Sequence, residues 1–344
     1  MAQSSTAGLD MVADLMSDRR ALARLITQIE NGAPEARQLV TRLYRRGGRA
    51  HIVGVTGAPG CGKSTLVAAL ARQLRVHAPD AHVAIIAVDP SSAFSGGAIL
   101  GDRLRMRSLA GDAGVFIRSM ASRGALGGVA AATADVVEVL DAVGFGTIFI
   151  ETVGAGQLEV DVARIAQTVV VVEAPGAGDE VQAIKAGILE IADVVVVNKA
   201  DREGATQTVA ALQSALDIGR PMPAAGLHAI DPSHHLQAPE QPGPSAEWRP
   251  PILKTVASHE EGIAAVIAAL EEHRQHLQLS GAGARRRARA VEQDVRARLG
   301  DLLLRRALRA VPQTHYNALI AGVIERTLHP LEAAEQLFIA SWGQ

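Results

Sequence analysis

The chain has 344 residues, 48% hydrophobic and 20% charged, which is enough apolar material for a sizeable core and excludes an intrinsically disordered chain. A formal net charge of -2 gives no general attraction to nucleic acid or acidic membranes. One cysteine, Cys61, excludes an intramolecular disulfide framework or a cysteine-cluster zinc site, and no apolar run reaches membrane-spanning length. With a small, polar stretch over residues 1–8 in place of a signal peptide, the expected location is cytoplasmic.

From Met11 to Glu30, apolar Leu15, Leu22, Leu25, Ile26 and Ile29 recur at helical spacing, and Gly32 ends the helix. A second helix is predicted over Pro34 to Arg45, opened by a proline suited to a first turn and closed at Gly47-Gly48. Apolar, β-rich runs then alternate with helical ones: Ile52 to Val55, Val83 to Val88, Val115 to Ile117, Thr147 to Ile150, Thr168 to Val172 and Val194 to Val197. Runs this apolar suit strands covered on both faces, so the prediction is an α/β fold with a mostly parallel sheet flanked by helices. Ligands of such sheets gather beyond the carboxyl ends of the strands, and the polar motifs fall there.

The first strand leads into Gly57-Ala58-Pro59-Gly60-Cys61-Gly62-Lys63-Ser64-Thr65, which fits G-x-x-x-x-G-K-[ST] between a strand and a helix. Three glycines let the backbone form a nest of inward N–H groups, and the helix start adds its positive dipole end. Phosphates bind such a nest, with Lys63 as a point charge and the Ser64 hydroxyl on Mg²⁺. The chain has only four lysines, Lys63, Lys185, Lys199 and Lys254, so a lysine kept in a motif marks a need for a compact ammonium. Cys61 reads as a small residue filling this tight loop, and the competing reading is a thiol pKa lowered by the inward amides and Lys63.

Asp89 in Asp89-Pro-Ser-Ser92, Asp102 in the loop from Gly96 to Arg103, and Glu151 before Thr152-Val-Gly154 are candidate Mg²⁺ carboxylates, direct or through water. The N–H of Gly154 is placed for a γ-phosphate, so the loop after it would order with nucleotide. Ala155 follows Gly154 and Gln157 comes later, so a water-positioning glutamine is not assured and slow intrinsic hydrolysis is expected. After Val197 comes Asn198-Lys199-Ala200-Asp201. A carboxylate at Asp201 accepts from guanine N1–H and the N2 amine, which adenine lacks. Lys199 would cover the base with its stem, Asn198 would bind the base and brace the phosphate loop, and Ala257 would offer a backbone N–H to the guanine oxygen.

Between Asp217 and Pro251 the composition turns to proline, histidine and small residues, a surface excursion in which His234-His235 reads as solvated. Gly262 to His276 is the last helix of the nucleotide domain, and Gly281-Ala-Gly283 a hinge. Ala284 to Val311 carries nine arginines against three acids and an apolar stripe of Val291, Val295, Leu299, Leu302, Leu303 and Leu308. Without interleaved aromatic residues this favours a partner helix over nucleic acid. Together with Tyr316 to Ala340 it is expected to be a dimerisation arm. The expected organisation is therefore 1–48, an N-terminal helical extension; 49–277, the nucleotide domain; and 278–344, the arm.

Taken together, these motifs resemble the methylmalonyl-CoA-mutase-associated GTPases, also called MeaB or ArgK-like, of the SIMIBI class of P-loop proteins. The resemblance runs from Asp18-Arg-Arg-Ala-Leu-Ala23 through Leu126-Gly-Gly128 to Asn198–Asp201, and Asp89-Pro-Ser-Ser92 and Pro175-Gly-Ala-Gly-Asp-Glu180 are its most specific motifs. It implies a homodimeric, Mg²⁺-dependent GTPase that acts as chaperone of an adenosylcobalamin-dependent acyl-CoA mutase, gating cofactor loading and protecting the enzyme. Lys63, Asp89, Glu151 and Lys185 would then serve hydrolysis and its coupling, and the run Pro175 to Lys185 would be an additional switch loop with Asp179, Glu180 and Lys185 toward the partner. The sequence departs from the family pattern at Arg123-Gly-Ala125 and at Val256, where a serine is usual before Ala257. The competing expectations are a metallochaperone GTPase for a metalloenzyme and an ATPase or kinase tied to amino-acid transport.

Overall fold

The computed structural model describes residues 12, 14–89, 106, 109, 111–121, 128–152, 158–176, 186–218 and 248–342. It divides into two compact units, residues 1–287 and 288–344.

The first unit opens with α1 (Arg19–Glu30) and α2 (Pro34–Leu43). Asp18 caps α1 by accepting the N–H groups of Arg20 and Ala21, and Pro34 starts α2 where its missing N–H is harmless. Next come β1 (His51–Gly57), α3 (Lys63–His77), β2 (Val83–Asp89), β3 (Val115–Ala121), α4 (Gly128–Val143) and β4 (Thr147–Thr152). They are followed by α5 (Leu158–Ile165), β5 (Thr168–Glu173), α6 (Ala186–Glu190), β6 (Val194–Asn198), α7 (Ala205–Ile218), β7 (Ile252–Thr255) and α8 (Ile263–Leu279). The strands form one seven-stranded sheet in the order β3-β2-β4-β1-β5-β6-β7, and every described pairing is parallel.

Alternating side chains explain the two covered faces. Val53, Val55, Ile85, Phe149, Val170, Val172, Val194 and Val196 pack with Leu66, Leu70, Val266 and Leu270 of α3 and α8. Ala84, Ile86, Val88, Ile148 and Ile150 point the other way, onto Leu22, Ile26, Leu43, Val136 and Leu140 of α1, α2 and α4. Val169, Val171, Val195 and Val197 meet Leu189 and Leu212 of α6 and α7. The two N-terminal helices thus share a core with the sheet. The seventh strand is a difference from the sequence reading, which took six apolar runs as strands. β7 has only four residues, and Lys254 interrupts it, so its half-exposed sheet-edge position left too short an apolar signal.

The second unit contains the larger part of α9 (Ala282–Ala310), then α10 (Gln313–Ile324) and α11 (Pro330–Trp342). Gly281 precedes α9 at φ +67. Val291, Val295, Leu299, Leu302, Leu303 and Leu308 are exposed along α9.

Candidate functional site

Four strands deliver polar residues to one edge of the sheet. β1 ends at Gly57, β4 at Thr152, β6 at Asn198 and β7 at Thr255, and parallel pairing puts these carboxyl ends side by side.

Gly57 leaves β1 at φ +137, and a Cβ there would meet the Val172 carbonyl oxygen at 2.0 Å. Gly62, at φ +97, opens α3, and its Cβ would stand 2.4 Å from Asn198 Nδ2. Both positions therefore need glycine, for backbone angle and for space. The loop between them turns the first amides of α3 and its dipole toward the edge, which suits an anion. Buried Lys63 folds back over this loop, donating from Nζ to the carbonyls of Gly57 at 2.7 Å and Ala58 at 3.0 Å. Buried Ser64 donates from Oγ to Glu151 Oε1 at 2.5 Å, joining the start of α3 to the end of β4. A hydroxyl and a carboxylate side by side are hard oxygen donors, the set a Mg²⁺ ion takes. Thr152 at the end of β4 donates from its hydroxyl to that of Thr56 on β1, at 3.2 Å.

Asn198 ties the second half of the edge to the first. Its Nδ2 donates to the Cys61 carbonyl at 2.9 Å, while Oδ1 accepts from Thr255 Oγ1 at 3.1 Å and from the Ala257 N–H at 3.0 Å. These partners fix which way the amide faces, because a flipped Asn198 would set donors against donors and an oxygen against the Cys61 oxygen. One Nδ2 hydrogen remains for a ligand acceptor. Lys199, at φ +56, donates from Nζ to the Gly60 carbonyl at 2.6 Å, and Asp201 lies exposed just beyond. The Ala257 N–H, read from sequence as a donor to a base, is held here by Asn198. The role of Thr255 was not foreseen, since its partner is 57 residues away in the chain.

Cys61 is the small loop filler that the sequence reading preferred. Burial pushes its thiol up to about 11, outweighing the nearby Lys63 ammonium, so the residue is an unreactive filler of the loop. Asp89 ends β2, and its side chain lies outside the described residues. Asp102, Gly154, Asp179, Glu180, Lys185 and the His234-His235 pair also lie outside them.

Known proteins share this architecture and sequence. A solved structure described as the LAO/AO transport system kinase aligns over 96% of both chains, with a TM-score of 0.64 and 25% identity. A Pyrococcus abyssi protein whose name places it among the GTPases is 42% identical over 320 residues, spanning 93% of this chain and 92% of its own. GTPase ArgK of Escherichia coli is 34% identical over 268 residues, 77% of this chain and 75% of its own. The family model described as "Methylmalonyl Co-A mutase-associated GTPase MeaB" matches residues 22–311, from α1 through the phosphate loop and Asn198–Asp201 to the end of α9. With a nest of amides at Gly57–Ser64 and a strand-end Asn-Lys-x-Asp braced against it, the chain belongs to the MeaB family of P-loop GTPases.

Proposed function

We propose that the protein binds and hydrolyses GTP at this edge and uses the cycle to chaperone an adenosylcobalamin-dependent acyl-CoA mutase of the methylmalonyl-CoA mutase type. The observation that carries the reading is the junction of Asn198 and Lys199 with the carbonyls of Cys61 and Gly60, which sets a guanine-reading tetrapeptide against a phosphate nest. Phosphates lie on the amides from Gly57 to Thr65, and Lys63 exchanges its loop carbonyls for phosphate oxygens. Asn198 donates its remaining Nδ2 hydrogen to a purine nitrogen, and Asp201 accepts from guanine N1–H and N2. The backbone at Ala257 borders the base oxygen. Ser64 and Glu151 would hold Mg²⁺, with Asp89 and Asp102 joining through water, and the ion would supply charge stabilisation on the phosphates. Gly154 would sense the γ-phosphate, and Asp179, Glu180 and Lys185 would couple that state to the partner.

The mutase reading rests on the family's printed description. The exposed apolar stripe of α9 supports a homodimer formed through residues 278–344. Among the described residues no helix is long and apolar enough to cross a membrane, in keeping with a cytoplasmic site of action.

GTP turnover with Mg²⁺, alone and with a purified adenosylcobalamin-dependent mutase, tests the proposal. Slow basal turnover, stimulation by the mutase and indifference to excess ATP are expected. Displacement of GTP by ATP would overturn the base assignment, and an unchanged rate with the mutase would overturn the partner.

A further inference from the structure

At the amino-terminal edge of the sheet, opposite the nucleotide edge, arginines from two distant segments gather around one loop. The segment Tyr44-Arg45-Arg46-Gly47-Gly48-Arg49 joins α2 to β1. Arg49 reaches back to the Arg46 carbonyl at 3.5 Å, and Arg274 of α8 donates to the Arg49 carbonyl at 3.3 Å. The guanidinium of Arg287 lies over Gly48, with NH2 and NH1 at 3.4 and 3.5 Å from where a side chain would begin. Arg45, Arg49, Arg285 and Arg287 are exposed, and Arg274 is half-buried.

The acids close by do not balance them. Buried Asp141 of α4 accepts the N–H groups of Gly48, Arg49 (3.1 Å) and Ala50 (2.9 Å), fixing the loop. Buried Asp193 is engaged by Arg286 at 2.8 Å and His273 at 3.2 Å. The other acids on these elements are Glu35 on α2, Asp135 and Glu138 on α4, Glu271 and Glu272 on α8, and Glu292, Asp294 and Asp301 further along α9; Glu271 is bonded by Gln275, and the three on α9 pair with Arg296, Arg298 and Arg305. The field extends inward, since Arg274 helps to keep His51 uncharged. Gathering like charges costs stability unless a complementary surface meets them.

We propose that this cluster of Arg45, Arg49, Arg274 and Arg287 is a docking surface for an acidic face of a protein partner. Guanidinium forks match surface carboxylates pairwise. Tyr44 is the one aromatic residue of this loop, which makes no stacking platform for bases. The inference is independent of the nucleotide reading.

The test is fluorescence anisotropy of a labelled glutamate peptide and a labelled single-stranded oligonucleotide, each about 20 units long, titrated with the full chain at low and near-physiological salt. Peptide binding is expected to weaken about tenfold in the double variant Arg49→Glu, Arg287→Glu, and to weaken with salt. The control Arg306→Glu, Arg309→Glu, which makes the same net-charge change on α9, is expected to change it less than about twofold. GTP binding should be equal in all three proteins, which reports intact folding. Equal loss in the control, or no peptide binding at low salt, would overturn the patch. Tighter binding of the oligonucleotide than of the peptide would assign the surface to nucleic acid instead.

Discussion

Replacing Asn198 with alanine strands three buried groups at once: the Cys61 carbonyl, the Thr255 hydroxyl and the Ala257 N–H. The expected loss is about 2–4 kcal/mol of stability in the absence of nucleotide, measured by urea unfolding. A residue that touched only the base would leave the nucleotide-free protein unchanged. Gly62→Ala attacks the same amide from the other side, since its methyl group would overlap Asn198 Nδ2 at a left-handed φ. It is expected to weaken GTP binding more than about tenfold, read by fluorescent-nucleotide titration. Lys63, Ser64 and Asn198 were legible in the sequence because fixed spacing from a strand end places them. So was the brace from Asn198 to the phosphate loop, but not its partners Thr255 and Ala257, because β7 reaches it only through the sheet. For Cys61 the filler role holds, while the competing reading of a lowered thiol pKa fails, since sequence displays neighbouring charges and conceals burial.

At the scale of elements, alternating apolar faces made six strands and the helical layers readable, while β7 showed too few apolar residues to stand out. The N-terminal helices illustrate a finer point. Their periodicity gave the buried face of α1 correctly, Leu22, Leu25, Ile26 and Ile29, and packing on the domain that follows was the expectation, but it did not give which residues of that domain the face covers. It covers Ala84, Ile86, Ile148 and their neighbours, and Arg118 of β3 adds a 2.5 Å ion pair to buried Glu30 of α1. Leu22→Ala is therefore expected to cost about 2–5 kcal/mol in the unfolding of the whole 1–287 unit, monitored by circular dichroism. Local loss of α1 with the sheet still intact would show instead that the helices are an independent layer.

For the molecule as a whole, the amino-terminal edge of the sheet holds a chain of buried polar groups whose titration sets how folding responds to acid. His51 Nε2 and Thr168 Oγ1 lie 2.8 Å apart, and Thr168 Oγ1 and His273 Nδ1 2.9 Å apart. His273 Nε2 faces the Asp193 carboxylate, which also takes Arg286 and the Val169 N–H. Burial first, then the charges of Arg274 and His273, lower the His51 pKa to about 4, against about 6.5 in the unfolded chain. Between those values the unfolded chain takes up a proton that the folded chain refuses, so stability falls as pH falls through this window. The full linkage is about 3 kcal/mol for a group this buried. For Asp193 burial opposes ionisation, but hydrogen bonds from His273 and Arg286 win and hold its pKa below the usual carboxylate value. Its contribution is present above the unfolded carboxylate pKa and is lost as pH falls through the depressed folded one, below the His51 window. His51→Gln keeps a donor toward Thr168 without titrating, so it is expected to flatten the stability profile from about pH 6.5 to 4 while leaving the steeper loss below it. Trp248, which packs on His273 and donates to the Asp193 carbonyl, reports unfolding of this unit by fluorescence once Trp342 is replaced by phenylalanine. An unchanged slope in the variant would place the proton uptake on other groups and leave His51 as packing alone.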